Sequence, residues 1–338
     1  MADPTSPAPA AAPPRARILA AYAAVYVIWG STYLAIRFAI ETLPPFMMAG
    51  TRFLVAGAIL YAWSRLRGAA RPSRANWIAT GVVGAFLLLG GNGGVVWAEQ
   101  RVESGIAALL VATLPLWMAL LEWIGPDRRR PTGRSALGIL LGLTGVAVLV
   151  GPEALLGGAA NVDPVGALVL VVASLAWAIG SLYSRRAPMP ASPQIGSGMQ
   201  MLAGGALLTL LGLMSGEGSR VELASFSTSS LAALGYLITF GSLVGFSAYV
   251  WLLRVEPTSR VATYAYVNPV VAVALGWLLA GETMSTQTLL AAAIIVGAVA
   301  LIVSAPKKPQ GTPSGATQPV PSTSRPPRRR SRGRRSRA

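Results

Sequence analysis

The side chains of this chain that could bind a polar solute stand inside long apolar runs. Tyr264 and Asn268 are four residues apart and share one helical face, with Tyr266 on an adjoining face. Asn92 and Glu99 are seven residues apart, so they also share a face. Such amides and hydroxyls suit hydrogen bonding to a small polar solute. Hydrogen bonding between helices is the alternative use.

Two prolines lie at related positions in two of these apolar runs. Pro115 and Pro269 lie near the centres of two apolar runs, 154 residues apart. A proline lacks an N–H group and displaces the carbonyl four residues earlier, here that of Val111 or Ala265. In lipid, a freed carbonyl must face protein or a wet cavity. A packing kink is the alternative, but the related placement favours a binding site, to which we also assign Thr113.

Aromatic side chains are further candidates for lining a binding site. Trp29 and Tyr33 are four residues apart on one face, and Trp177 occupies the corresponding position in a later run. Interfacial anchoring suits Tyr33. It does not explain the two tryptophans, which lie deeper, so we expect all three to contact a substrate.

Arg52 is the one charge clearly inside an apolar run. Placing a charge at the membrane centre costs about 2.5–3.5 kcal/mol on insertion scales, so such residues are functional candidates. Arg52 is nevertheless within roughly 9 Å of the run's end, which permits snorkelling. Structural anchoring and contact with an anion both stay open. Glu99 is either solvated or substrate-facing, and it is the nearest candidate for a proton relay.

Composition excludes much enzymology. The chain has no Cys and no His, which excludes disulfides, thiol catalysis, Ser-His-Asp catalysis and the usual zinc sites. We expect no metal and no cofactor. The sequence also has no GxxxxGK[ST] motif for ATP. With 53% hydrophobic and 12% charged residues, the chain cannot cover a water-soluble surface, so we predict an integral membrane protein.

The elements that must position these residues are apolar runs long enough to cross a bilayer. We predict an all-α integral membrane protein with ten transmembrane helices, at about 18–36, 46–64, 77–97, 104–123, 135–151, 164–184, 195–214, 230–252, 260–280 and 287–304. Basic residues alternate between the two sides, twenty-four against three. By the positive-inside rule, both termini are cytoplasmic.

The two halves of the chain resemble each other. Trp97, Pro115 and Trp123 correspond to Trp251, Pro269 and Trp277, all at an offset of 154 residues. Five helices are an odd number, so the second half must be inverted in the membrane. Inverted-topology five-helix repeats are typical of secondary transporters. We therefore predict a disordered leader at 1–17, repeats at 18–151 and 164–304, and a disordered tail at 305–338.

Several motifs carry a family resemblance: WGSTY at 29–33, PPFMMAGTRFL at 44–54, GNG at 91–93, SGIAA at 104–108 and YAYVNPVVAV at 264–273, followed by Gly281-Glu282. They resemble the EamA family of the drug/metabolite transporter superfamily, and within it the YedA-like branch. The resemblance implies a ten-helix, two-repeat carrier of small organic solutes, commonly an exporter of amino acids or related metabolites.

We therefore expect a secondary transporter in the cell membrane, an exporter of small organic metabolites. It would work by alternating access around a midplane cavity walled by runs one, three, four, six, eight and nine. A channel or a non-transporting membrane sensor is the alternative; an intramembrane enzyme lacks a convincing acid or base. Expected partners are the solute, the bilayer and possible second copies of the chain. For the basic tail we expect anionic lipids rather than nucleic acid.

Overall fold

The computed structural model describes residues 14–125, 133–150, 162–282 and 285–303, and every regular element within these ranges is a helix. The all-helical prediction is therefore confirmed for the described residues. The predicted tail and most of the leader lie outside them, as does the arginine run at 128–130.

The helices follow the apolar runs of the sequence. They are α1 Arg15–Ala39, α2 Pro45–Leu66, α3 Arg74–Ala98, α4 Ser104–Ile124, α5 Gly133–Val150, α6 Pro164–Ser184, α7 Pro193–Met214, α8 Thr228–Val255, α9 Tyr264–Ala280 and α10 Thr286–Val303. A one-turn helix at Thr258–Val261 precedes α9. Short 3-10 turns at Glu217–Arg220 and Leu223–Ser225 join α7 to α8.

Local sequence signals set the starts of these helices. α2, α6 and α7 each begin with a proline in the first turn, where its missing N–H breaks no helical bond. The side chains of Ser73, Asp163 and Ser227 accept hydrogen bonds from the first turns of α3, α6 and α8.

Within the described ranges, seven helices, α1–α4 and α6–α8, are long and apolar enough to cross a membrane. α5, α9 and α10 coincide with the three other predicted runs, but their apolar parts are shorter, at Ala136–Leu149, Val267–Ala280 and Thr286–Leu301. Length and composition thus support seven of the predicted spans. Ten spans in two inverted repeats stay a prediction.

The helices pair in corresponding ways across the two halves. α1 packs against α8 and α9, while α6 packs against α3 and α4. α2 lies along α7, and α5 lies along α10. The first helix of each half therefore contacts the third and fourth helices of the other half, as expected of two related halves.

Glycines permit the close contact between α2 and α7. A Cβ atom on Gly57 would lie 2.8 Å from the backbone nitrogen of Leu202 and 2.9 Å from the carbonyl oxygen of Gly198. Small residues at such crossings are the usual way for membrane helices to pack closely.

Large apolar side chains cover the outside of the bundle. Leu140 and Leu143 of α5, and Leu278 and Leu279 of α9, are each more than half exposed. Exposed apolar surface of this extent indicates contact with lipid or another apolar partner.

Candidate functional site

A cavity of about 60 Å³ lies inside the helix bundle. A water molecule needs roughly 10–15 Å³ of such space, so the cavity has room for a few waters or a small polar group. Its wall takes residues from α1, α3, α4, α6, α8 and α9, and also from α2. The predicted site residues in the wall are Trp29, Tyr33, Arg52, Asn92, Trp177, Tyr264 and Asn268.

An aromatic cluster forms one side of the cavity. The ring of Trp29 meets those of Trp177 and Tyr264 edge to face, with centroids 5.5 Å apart in both pairs. The Tyr249 ring lies 4.9 Å from that of Trp29. These pairs bring the corresponding tryptophans of α1 and α6 into direct contact.

Hydrogen bonds fix the orientation of this cluster. The Nε1 of Trp29 donates to the carbonyl oxygen of Gly241 (3.2 Å), and the Nε1 of Trp177 donates to the Tyr249 hydroxyl (3.1 Å). The hydroxyls of Tyr249 and Ser181 are also bonded, at 2.7 Å. Each indole N–H therefore has a partner, and the rings present apolar surface to the cavity.

Three π-helical segments border the cavity, at Ala24–Ile28 in α1, Ala85–Asn92 in α3 and Leu237–Phe246 in α8. Trp29 directly follows the first segment, Asn92 ends the second, and Gly241 lies in the third. Wider helical turns of this kind occur frequently at functional sites. Here they precede or contain residues of the wall.

Arg52 reaches inward rather than to the membrane surface. Its side chain is 3% exposed, and its Nε donates to the Ser242 hydroxyl at 2.8 Å. Its guanidinium carbon lies 4.7 Å from the centre of the Phe53 ring. Within the described residues, Nη1 has no hydrogen-bond partner. Snorkelling therefore does not describe this arginine, which lies in the wall of the cavity.

Gly241 makes room for the guanidinium. A Cβ atom at this position would lie 2.7 Å from the Nη2 of Arg52. Any larger residue would displace the arginine from α8.

Asn268 lies in the wall and also holds two helices together. With its amide nitrogen turned towards neighbouring carbonyls, it donates to the oxygen of Tyr264 at 3.2 Å and to that of Tyr26 at 3.0 Å. The first bond is within α9 and the second reaches α1. Asn268 therefore has a structural role in addition to its place in the wall. The side chain of Tyr266 lies outside the described residues.

The two corresponding prolines occupy different helical environments. α4 is interrupted between Val111 and Leu114, so Pro115 lies in the first turn of the helix Leu114–Ile124 and breaks no helical bond. Pro269 instead lies inside the continuous helix Tyr264–Ala280. A helix break, the effect predicted for both prolines, is therefore found just before Pro115, whereas α9 is continuous through Pro269.

Thr113 supports the interruption in α4. Its hydroxyl donates to the carbonyl oxygen of Leu110 and lies 2.8 Å from the Ser174 hydroxyl on α6. Ser174 is a residue of the cavity wall and Thr113 is not. The structure thus places Thr113 one contact away from the cavity.

Asn92 and Glu99 differ in their exposure to the cavity. Asn92 is part of the wall, and its Oδ1 has no hydrogen-bond partner within the described residues. Glu99 is buried just beyond the end of α3 and is outside the wall. For Glu99 the sequence left open solvation or a position facing the substrate, whereas the structure buries the side chain.

Sequence reasoning missed several residues of this region. Tyr249 bonds to Trp177 in the aromatic cluster, Ser242 accepts a bond from Arg52, and Ser174 and Phe246 are part of the wall. For the hydroxyl residues, the available signal was a polar side chain inside an apolar run. That signal does not distinguish a residue facing the cavity from one facing a neighbouring helix.

Comparison with known proteins identifies the family. The model of the EamA-like transporter family matches residues 16–151 and 164–304. The "Uncharacterized inner membrane transporter YedA" of Escherichia coli (strain K12) is 41% identical over 281 residues, which cover 82% of this chain and 88% of the relative. The "Probable amino-acid metabolite efflux pump" of Salmonella typhimurium is 26% identical, covering 80% of this chain and 90% of the relative.

A solved structure entitled "Crystal structure of protein" has the same overall fold. Its TM-score is 0.60 at 22% sequence identity, and the match covers 85% of this chain and 97% of that chain. The family match over both halves of the chain confirms the resemblance seen in the sequence motifs. The chain belongs to the EamA-like transporter family.

Proposed function

We propose that the protein is a secondary transporter that exports small organic metabolites, such as amino acids or related compounds, by alternating access around the central cavity. One observation carries the proposal: the cavity wall is built from both halves, which contribute the corresponding residues Trp29 and Trp177. A site between two related halves is the usual arrangement in carriers with internal repeats.

The chemistry of the wall supports a solute with both apolar and polar parts. The aromatic cluster offers an apolar surface, while Asn92, Arg52 and Asn268 offer hydrogen-bonding groups. Pockets that bind small molecules commonly combine an apolar lining with a few placed polar groups. The name of the Salmonella relative, an amino-acid metabolite efflux pump, supports efflux of such compounds.

The proposed location is the inner membrane, supported by the name of the Escherichia coli relative, an inner membrane transporter. The charge alternation supports ten spans with both termini in the cytoplasm. Reporters fused after Arg74 and Arg186 should read cytoplasmic, and those after Asp163 and Glu222 external. A reproducible reversal at any of these positions would contradict the topology. Contact of the basic tail with anionic lipids is part of the same proposal.

Flux measurements on purified protein in lipid vesicles test the function. Radiolabelled L-amino acids and their D-enantiomers are the probes. A carrier gives saturable flux that discriminates between enantiomers, whereas a channel gives flux that rises linearly and does not discriminate. Absence of flux for the whole set would contradict an amino-acid carrier and favour the sensor.

A further inference from the structure

Two of the buried glutamates in this protein have hydrogen-bond donors placed against them. Glu217 accepts bonds from the backbone N–H groups of Phe46 and Met47 at the start of α2. Glu282 accepts bonds from the N–H and hydroxyl of Ser104 and from the N–H of Gly105 at the start of α4. In both places the hydrogen bonds from a helix N-terminus replace those that the carboxyl oxygens would make to water.

Glu99 is buried without such donors. Its side chain is 4% exposed, and within the described residues neither carboxyl oxygen has a hydrogen-bond partner. The ion pairs found in the described ranges do not include it. Burying a carboxylate without donors costs far more than burying a neutral carboxyl group, so this site favours the protonated form. In this respect Glu99 differs from Glu217 and Glu282, whose oxygens have N–H donors.

The position of Glu99 connects it to the cavity. It follows the last residue of α3, and Val95 and Asn92, about one and two turns earlier on the same side of that helix, are residues of the cavity wall. Four residues of α-helix rise about 6 Å. Asn92 also has an unpartnered Oδ1 within the described residues. A short rearrangement of this helix end would bring the Glu99 carboxyl into contact with water in the cavity.

The two arginines near Glu99 interact with other groups. Arg37, Arg52, Glu282 and the Tyr33 hydroxyl act on Glu99 electrostatically. Arg37 lies 3.8 Å from Glu282, and Arg52 donates its Nε to a serine of α8.

On the neighbouring helix α6, the first charged group is Asp163, which lies 4.0 Å from Arg101. Glu282 thus opposes a negative charge on Glu99 and the two arginines favour it, but none of the three is a direct partner of Glu99.

We propose that Glu99 is the proton-binding carboxyl that couples this carrier to a proton gradient. The proposal rests on the proposed transport function and deepens it by naming the coupling ion. Glu99 holds one proton while it is closed off from water. It releases that proton to the aqueous phase when the cavity opens on the side of lower proton concentration. Since the proposed direction for the solute is export, proton and solute move in opposite directions.

Infrared spectroscopy of the full chain in lipid tests proton binding without any substrate. A protonated carboxylic acid has a C=O stretch separate from that of a carboxylate. We expect this band at neutral pH in the wild type, its loss in Glu99→Gln, and its retention in Glu222→Gln, which changes an exposed glutamate. A band that persists in Glu99→Gln, or its absence from the wild type, overturns the proposal.

Vesicle uptake tests the coupling. The probe is a mixture of radiolabelled proteinogenic L-amino acids, and the readout is the ratio of uptake driven by a pH gradient to exchange at equal pH. One pH unit can change accumulation by up to about tenfold for one coupled proton. We expect the wild type and Glu222→Gln to show this stimulation and Glu99→Gln to lose it.

Stimulation that survives in Glu99→Gln overturns the proposal. If the wild type exchanges none of the probe, the proposed function fails for amino acids. The infrared result then decides proton binding by itself.

Discussion

The two ends of the helix bundle place corresponding residues in different chemical settings. At one end, Glu282 joins α4, α9 and α1 by accepting three hydrogen bonds from Ser104 and Gly105 and by lying 3.8 Å from the Nε of Arg37. We call this the Glu282 end. Its closure depends on one buried carboxylate.

At the other end of the bundle, Arg185 directly follows α6 and corresponds to Arg37, which lies in the last turn of α1. Its Nη1 donates to the Thr258 hydroxyl at 2.5 Å and to the carbonyl oxygen of Glu256 at 3.4 Å. Thr258 corresponds to Ser104 at the repeat offset. Arg185 therefore binds neutral oxygens where Arg37 faces a carboxylate. The Glu256 carboxylate at this end, which we call the Thr258 end, lies 3.3 Å from the Nη1 of Arg260.

A second cavity of about 390 Å³ lies at the Thr258 end, and Arg185, Met189 and Arg254 are among its lining residues. The two ends differ in burial and in the number of bonds. Glu282 is buried and accepts three hydrogen bonds, whereas Arg185 is exposed and donates two, one of them 3.4 Å long. Bonds to a buried charged group contribute about 1.5–3 kcal/mol each, and bonds of an exposed charge contribute less because solvent screens them. We infer that this conformation is closed at the Glu282 end and opens more easily at the Thr258 end.

Removing the carboxylate should produce the largest effect. Glu282→Ala leaves the N–H groups of Ser104 and Gly105 without their acceptor, so we expect a loss of roughly 2–3 kcal/mol in the free energy of unfolding. The measurement is thermal unfolding of the purified protein in detergent. Glu222→Ala, at an exposed position, is the control. Equal midpoints for the two variants would contradict the role assigned to Glu282.

Introducing a carboxylate at the Thr258 end tests whether charge decides how firmly an end is closed. Thr258→Glu places a negative charge beside Arg185 and should favour closure of the Thr258 end. Coupling free energies of about 1–3 kcal/mol correspond to shifts of about five- to 150-fold. The readout is the reaction of a water-soluble maleimide with a single cysteine introduced as Met189→Cys, and Thr258→Gln is the neutral control. Equal reaction rates with glutamate and glutamine would refute the charge argument.

Asn268 lies between the two ends and should have an intermediate effect. Losing its hydrogen bonds costs about 0.5–1.5 kcal/mol, so Asn268→Ala should lower transport per folded molecule by about two- to tenfold. Folded protein and transport must be measured on one preparation, because the amide also bonds to the Tyr26 carbonyl. Reduced folded protein with unchanged transport per molecule would leave Asn268 a purely structural role.

Arg37→Gln should have the smallest effect. The Arg37 side chain is 37% exposed, and ion pairs open to solvent contribute about 0–1 kcal/mol. We expect a small decrease in the thermal midpoint that disappears at high salt. A decrease as large as that of Glu282→Ala would show that the ion pair, rather than the helix cap, closes this end.

The sequence predicted the helices well because their signals are local. Apolar length, together with proline and polar residues at the breaks, placed helix ends within a few residues of those observed, as at 164–184 for α6. The same reasoning selected seven residues that the structure brings into one cavity wall. This succeeded because helical periodicity and the position in the repeat both predict on which face of a helix a residue lies.

The remaining features depend on contacts between distant segments. The interruption before α9 lies beside the bond between the hydroxyls of Tyr26 and Thr263, which are 237 positions apart. The π-helical turns and the role of Tyr249 likewise depend on packing between helices. For Arg52, length arguments left two options open, and only the position of Ser242 on α8 decides that the side chain points inward.

Alternating access around the central cavity is tested most directly by labelling a thiol in the cavity wall from each side of the membrane. The chain has no cysteine, so Ala173→Cys introduces a single thiol into the cavity wall. Ala291→Cys, buried on α10 away from this cavity, is the matched control. The reagent is a membrane-impermeant maleimide, applied separately to each side of sealed vesicles. Alternating access predicts that the thiol at 173 reacts from both sides and the control from neither. Failure of the cavity thiol to react from either side would contradict a carrier built around this cavity.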